Sequence, residues 1–396
     1  MKRVVYVSTD PGIPVFGRKG ASVHVQAVLR VLLERGVEVH LVSPRTGDRP
    51  PEGLGAVKVH TLPRPEGTST AERERSAVRS DEAVTCVLHR IAAQGTVDLV
   101  YERYALWGRS GMAWARRAGV PSVLEVNAPL IDEQAQHRGL VDSRAAEYVA
   151  SRALNDATVV IGVSDQVTAW VRDRLANPGS AHTVANGVDT RRFTPIESRV
   201  TPAHADPFTI GFVGTLKPWH GVSTVVDALA LLVRRHPGYQ LLLVGDGPEA
   251  ASLARQATAL GVERHVAATG SVDPVAIPAL LQRMDVAVAP YPALADFYFS
   301  PLKVYEYLAA GLPVVASRVG CLPAVLEHGR LGSLVGPDDP AALTTAVDAL
   351  RTDARRRTLM REAAVRVAAD HDWSRVVNRT LALAGLELPE VADAVA

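Results

Sequence analysis

Short, continuously apolar runs of Val, Ile and Leu alternate with amphipathic helical patterns from one end of the chain to the other. Strands that are apolar on both faces and separated by helices imply a parallel sheet covered on both sides. In the first half the predicted strands are Val4–Val7, Val37–Val42, Val57–Leu62, Asp98–Tyr101, Ser122–Val126 and Thr158–Val163. A helix over Ser22–Arg35 follows the first strand, with Ser22 as its expected N-cap and Gly36 as its stop. The pattern then restarts. Beyond the polar, proline-bearing stretch from Pro195 to Pro207, strands are predicted at Phe208–Val213, Gln240–Val244, Val266–Ala268, Val286–Ala289 and Pro313–Ala316. Both halves open as strand, glycine-bearing loop and helix, the start of a Rossmann-like unit.

A chain of 396 residues is long enough for two cores of ordinary size. The expected division is residues 1–195 as one domain, 196–207 as linker and 208–371 as the second. A last helix, about 372–396 and including Trp373, is free to pack back on the first domain. The net charge of +1 from 43 basic and 42 acidic residues gives no basic surplus for a nucleic-acid partner. Cys86 and Cys321 lack disulfide or zinc-ligand spacing. No apolar run reaches the roughly 18 residues of a membrane span, and the short N-terminal apolar run reads as a strand instead of a signal peptide. A cytoplasmic location is the resulting expectation, with peripheral membrane contact left open.

Three segments carry the expected chemistry. The first is Gly17-Arg18-Lys19-Gly20-Ala21-Ser22, at the carboxyl end of the first strand. A helix N-terminus there offers free amides to an anion, and Gly20 and Ala21 allow close approach. The loop is neither a dinucleotide fingerprint nor a P-loop, and no acidic residue ends the second strand, so NAD binding and P-loop ATPase activity are disfavoured. The second is Gly211 to Gly221, where Lys217 and His220 bring cationic or donor groups to another helix start. The third runs from Phe297 to Gly311. Ser300 is the expected cap, Pro301 opens the helix, and Lys303 sits near its positive end with Glu306 three residues on. A cation there is unfavourable unless an anion joins it.

At these residues the chain resembles the family 4 retaining glycosyltransferases of the GT-B fold, in an actinobacterial-like version. The likeness rests on GRKGASVHV, NGVDTRRF, GFVGTLKPWHGV, LLLVGDGPE and SPLKVYEYLAAGLPVVAS, in that order along nearly the whole chain. It implies two Rossmann-like doubly wound domains facing each other across a cleft. It further implies transfer of a hexose or amino-hexose from a UDP- or GDP-sugar, as co-substrate, to a hydroxyl acceptor such as a natural-product or cell-envelope intermediate, with no metal or other cofactor. Lys217, Lys303 and His220 are the expected catalytic groups. Gly20, Ala21, Gly214, Thr215, Ser271, Asp296, Tyr298, Phe299, Ser300, Pro301, Leu302 and Glu306 are expected around the donor, and Lys19, His24 and Asn127 on the acceptor side.

The chain departs from the family pattern at three places. Tyr298 stands where many members carry the first of two glutamates, Thr215 and His220 replace charged residues of the phosphate loop, and Asn127 lies where a histidine often ends a strand. A silent nucleotide-sugar-binding subunit, or an epimerase or phosphorylase of the same architecture, are the alternatives.

Overall fold

The computed structural model describes residues 1–193, 207–294, 297, 298 and 300–388. They form two compact units. One comprises Met1–Asn186 with Tyr298, Ser300 and the chain from Trp373; the other comprises Gly187–Phe297 and Pro301–Asp372. The expected linker and the expected contacts Asp296 and Phe299 fall on or largely on residues outside the description.

The first unit holds a seven-stranded sheet built from β1 (Arg3–Ser8), β2 (Glu38–Ser43), β3 (Lys58–Thr61), β4 (Leu99–Arg103), β5 (Ser122–Val126), β6 (Val159–Gly162) and β7 (Ala181–Thr183). Its order is β3-β2-β1-β4-β5-β6-β7, and neighbouring strands run parallel. Alternation along β1 shows why both faces are covered. Val4 and Tyr6 enter one apolar cluster with the helix Gly20–Glu34, whereas Val5 and Val7 enter the cluster on the other face. Trp373, Val376, Val377 and Leu381 of the last helix, Trp373–Leu383, belong to the first of these clusters.

The second unit holds a six-stranded parallel sheet of β8 (Phe208–Val213), β9 (Tyr239–Val244), β10 (Val266–Ala268), β11 (Val286–Ala289), β12 (Val314–Ser317) and β13 (Gly332–Val335), in the order β10-β9-β8-β11-β12-β13. Periodicity missed β7 and β13. Each is three or four residues long and neither is apolar throughout.

Local differences have plain causes. The first long helix starts at Gly20 with extended Lys19 at its N-cap; Ser22, expected there, donates its hydroxyl to the Pro14 carbonyl at 2.6 Å instead. The helix expected to be capped by Ser300 runs over Leu302–Ala309 with Pro301 at the N-cap. The chain passes to the second unit at Gly187, earlier than position 195. Val188 bridges to Asp372, and the Asp372 carboxylate accepts both the amide and the hydroxyl of Thr190 at 3.1 and 2.6 Å, which holds this segment in the second unit.

Trp373 is 7% exposed and meets the ring of His24 edge-on with centroids 4.7 Å apart. Trp373→Ala should therefore lower unfolding free energy by about 3–5 kcal/mol, read from chemical denaturation of the full chain.

Candidate active site

In each sheet the strand order reverses beside the opening strand, between β1 and β4 and between β8 and β11. Ligands of open parallel sheets bind at such switch points, outside the carboxyl ends of the strands. The expected residues of the second unit gather at the β8/β11 switch.

Lys303 is the centre of that group. Its Nζ is buried without a hydrogen-bond partner among the described residues. It lies 4.2 Å from the ring centroid of Phe212, on β8, and 5.2 Å from that of Tyr291, just beyond β11. Both rings offer their π faces to a cation, but burial dominates and pushes the ammonium down to about 7, with Glu306 opposing the shift. A side chain at Gly214 would put its Cβ 3.1 Å from Nζ, and the backbone there has a φ of +143°. Glycine therefore lets the backbone pack directly against the amine, where a Cβ would crowd it. Tyr307 fixes the helix that carries Lys303, since its hydroxyl oxygen accepts the Val213 amide at 2.8 Å.

Lys217 and His220 complete this corner. Lys217 Nζ lies 4.6 Å over the ring of half-exposed Trp219. The His220 ring packs on both Phe212 and Tyr291, centroids 5.9 and 5.8 Å away. Burial first, and then the charge of Lys303, push the imidazole down to about 4, with Lys217 adding to the shift. Here the expectation of a cation is corrected: His220 is neutral near pH 7. Its Nδ1 bonds the Thr215 carbonyl, which can only accept, so Nδ1 carries the proton and Nε2 is left as an acceptor. His220 braces the loop and leaves the positive charge to the two lysines.

The rest of this edge is backbone. The Gly245 amide donates to the Gly270 carbonyl at 3.1 Å, drawing the loops after β9 and β10 together and placing exposed Ser271 beside them. Glu306 has its proton affinity raised by burial, against the influence of Arg192 and Lys303. Leu302 and Lys303 occupy the first turn of the helix Leu302–Ala309.

Tyr298 is among the residues expected around the donor. It belongs to the first unit, where its hydroxyl donates to Glu133 Oε2 at 3.2 Å and its carbonyl accepts from the Ser164 hydroxyl at 3.1 Å. Ser300 clusters with the same unit, and its buried hydroxyl has no hydrogen-bond partner among the described residues.

In the first unit, Gly20 and Ala21 open the helix Gly20–Glu34 as expected of an anion-facing N-terminus, and Lys19 Nζ donates to the Gly12 carbonyl at 3.2 Å. His24 is not free to meet an acceptor. It is 3% exposed and its Nε2 lies 2.6 Å from Glu125 Oε1. Asn127 donates its amide to the same oxygen at 3.0 Å, and the Tyr101 hydroxyl donates to Oε2 at 2.7 Å. Burial would raise the Glu125 proton affinity, but His24, Arg103 and Tyr101 outweigh it and hold the carboxyl at about 2. Glu125 is thus a charged hub inside β5 that sequence reasoning passed over, although a carboxylate within Ser-Val-Leu-Glu-Val is an audible signal.

A cavity of about 400 Å³ lies at the β1/β4 switch of this unit, lined by Thr9, Asp10, Trp107, Leu130 and Glu133 among others. None of these was singled out from the sequence, because loop residues at a strand end carry no periodicity.

Comparison with known proteins identifies the family. Residues 18–192 match the glycosyltransferase family 4 model and residues 207–353 the model for glycosyl transferases group 1. The chain is 29% identical to D-inositol 3-phosphate glycosyltransferase 2 of Catenulispora acidiphila, over 91% of this chain and 88% of that one. It is 31% identical to a glycogen synthase of Mycobacterium tuberculosis, over 72% of this chain and 67% of that one. Among solved structures, Anabaena HepE in complex with UDP and glucose superposes with a TM-score of 0.72 at 20% identity, covering 98% of this chain and all of that one. The sucrose-phosphate synthase of Thermosynechococcus elongatus gives 0.71 at 22% identity, covering 97% and 98%. With two Rossmann-like sheets and both halves matched, the chain belongs to glycosyltransferase family 4 and is a transferase enzyme.

Proposed function

We propose that this enzyme moves a hexose or amino-hexose from a UDP- or GDP-sugar to a hydroxyl acceptor with retention of configuration, and that lysine side chains do the charge compensation without a metal ion. The observation that carries this reading is the buried Lys303 amine, which has no hydrogen-bond partner among the described residues and lies against the backbone of Gly214. A buried amine needs an acceptor, and a diphosphate supplies several.

In this reading the diphosphate lies against the Gly214–Thr215 backbone with Lys303 and Lys217 around it. Glu306 accepts from the ribose hydroxyls, and the backbone near Ser271 borders the base. As the bond from the sugar to the phosphate oxygen breaks, the two lysines stabilise the charge gathering on the diphosphate. The acceptor hydroxyl attacks the same face of the sugar, its proton passes to the leaving phosphate oxygen, and the nucleoside diphosphate departs. Positioning and charge stabilisation suffice, so no strong general base is needed. That relatives carry names as different as D-inositol 3-phosphate glycosyltransferase and glycogen synthase supports a shared chemistry on the donor side.

Two outcomes follow. Lys303→Ala should lower kcat by about a hundredfold or more while leaving uridine or guanosine affinity within about twofold; Lys217→Ala should act in the same direction and less strongly, and EDTA should leave the rate unchanged. Parallel loss of nucleoside affinity and turnover in steady-state kinetics would contradict the role. The second outcome concerns pH. An amine held at about 7 is charged below that pH and neutral above it. A bound diphosphate restores the proton, so affinity for UDP or GDP should fall by up to about tenfold per unit above pH 7, with proton uptake on binding. Calorimetry in buffers of different ionisation enthalpy reads both, and Lys303→Met should abolish the uptake.

A further inference from the structure

Two adjacent arginines in the segment that opens the second unit have opposite fates. Arg191 is exposed and lies 3.2 Å from the Asp189 carboxylate. Arg192 is half-buried, with its guanidinium over the ring of buried Phe193, 5.4 Å from the centroid. Its Nη2 donates to the Pro274 carbonyl at 2.7 Å. Pro274 lies three residues beyond Ser271 in the loop after β10. The segment itself is pinned: Asp372 holds Thr190, and the Val188 amide donates to the His371 carbonyl at 2.8 Å.

The same guanidinium acts on Glu306. Two cations oppose the burial of that carboxyl, Arg192 more strongly than Lys303, although Lys303 is only three residues away on the same helix. Direction explains the order. Lys303 Nζ packs against Phe212, Tyr291 and the Gly214 backbone and has no hydrogen-bond partner among the described residues, so the pair that an i,i+3 spacing allows is not hydrogen-bonded. The other ionisable neighbours are spoken for. The Tyr307 phenol is kept neutral by burial and accepts the Val213 amide. Arg357, on the helix Ala354–Asp370 that packs against this one, donates to the carbonyls of Leu350 and Arg351. The His371 ring lies on Tyr305, the residue before Glu306, with centroids 4.6 Å apart, so the pinned segment and the Glu306 helix share a neighbour.

We infer that Arg192 is a positioning residue of the donor site: one guanidinium holds the loop that borders the base, through the Pro274 carbonyl, and supplies the counter-charge of Glu306, the carboxylate that accepts from the ribose. A guanidinium suits both tasks because its donors diverge in a rigid fork, whereas an ammonium is a compact point charge. This role rests on the donor reading above and adds to it a residue that touches no part of the nucleotide. Its signature is a pH dependence of ribose recognition. Burial raises the proton affinity of Glu306 and Arg192 opposes it. Ribose recognition needs the ionised carboxylate, so it is lost as pH falls through the titration of Glu306, and without Arg192 that loss comes at higher pH.

Calorimetric titration of the full chain with UDP or GDP, whichever the wild type binds, and with its 2′,3′-dideoxy counterpart tests this between pH 5 and pH 8. The ratio of the two dissociation constants isolates the ribose contacts, because the titration of Lys303 affects both diphosphates alike. Wild type should favour the ribose form by at least about tenfold at pH 7, as charge-assisted hydrogen bonds allow. In Arg192→Gln the pH at which half of that preference is lost should rise by about one unit, the lower end of the effect of a neighbouring opposite charge. Arg192→Lys, which keeps the charge, should restore most of the wild-type midpoint. If Arg192→Gln lowers the melting temperature, Arg192→Met, which keeps an apolar stem over Phe193, carries the same expectation. A midpoint unchanged in the neutral variants, or equal weakening of both nucleotides at every pH, overturns the role of Arg192 and leaves the donor reading standing. Equal affinity of wild type for the two nucleotides removes the ribose role of Glu306 and this one with it, and no binding of either sinks the donor reading as a whole.

Discussion

The second unit buries the end of the Lys303 side chain with no hydrogen-bond partner among the described residues. Displacing that amine from 10.5 to about 7 corresponds to on the order of 5 kcal/mol against the charged form, at about 1.4 kcal/mol per unit. The penalty comes from burial, which strips Nζ of water, and Glu306 offsets only part of it. A bound anion would relieve it. The aromatic rings of Phe212 and Tyr291 and the neutral His220 hold the amine in place but provide no counter-charge of their own.

The first unit solves a related problem in the opposite way. Glu125 is as deeply buried as the Lys303 amine, yet its carboxylate is met by His24, Asn127 and Tyr101, with Arg103 4.0 Å away. A fully met charge is a structural device: it joins the first helix, β4, β5 and, through the ring contact of His24 with Trp373, the last helix. An unmet one waits for a ligand. That contrast separates His24, expected at an acceptor and found in the core, from Lys303, whose buried amine has no partner among the described residues.

The architecture was legible because the central parallel strands, buried on both faces, are apolar nearly throughout, and eleven of the thirteen strands among the described residues coincide with expected ones. Lys217 and Lys303 stood out too, since they sit in a loop and a helix start where charge has few structural uses. Contacts distant in sequence were not. Nothing near Tyr298 signals that its hydroxyl reaches Glu133, 165 residues away, or that Ser164 holds its carbonyl. Nor does the sequence show that His220 is buried between two rings, which reverses its expected charge. Cap positions failed for a similar reason: Ser22 prefers the Pro14 carbonyl, a partner eight residues back.

The chain contains only five lysines, so each can be assigned in a spectrum of protein labelled with ¹³C at lysine Cε. Titrating that sample with acid and base, first alone and then with UDP bound, measures the charge on Lys303 directly. The account predicts a resonance that titrates near pH 7 in the free protein and moves above about pH 9 when the diphosphate is present. A Lys303 signal that titrates near 10.4 in the free protein, or that is indifferent to UDP, would contradict it.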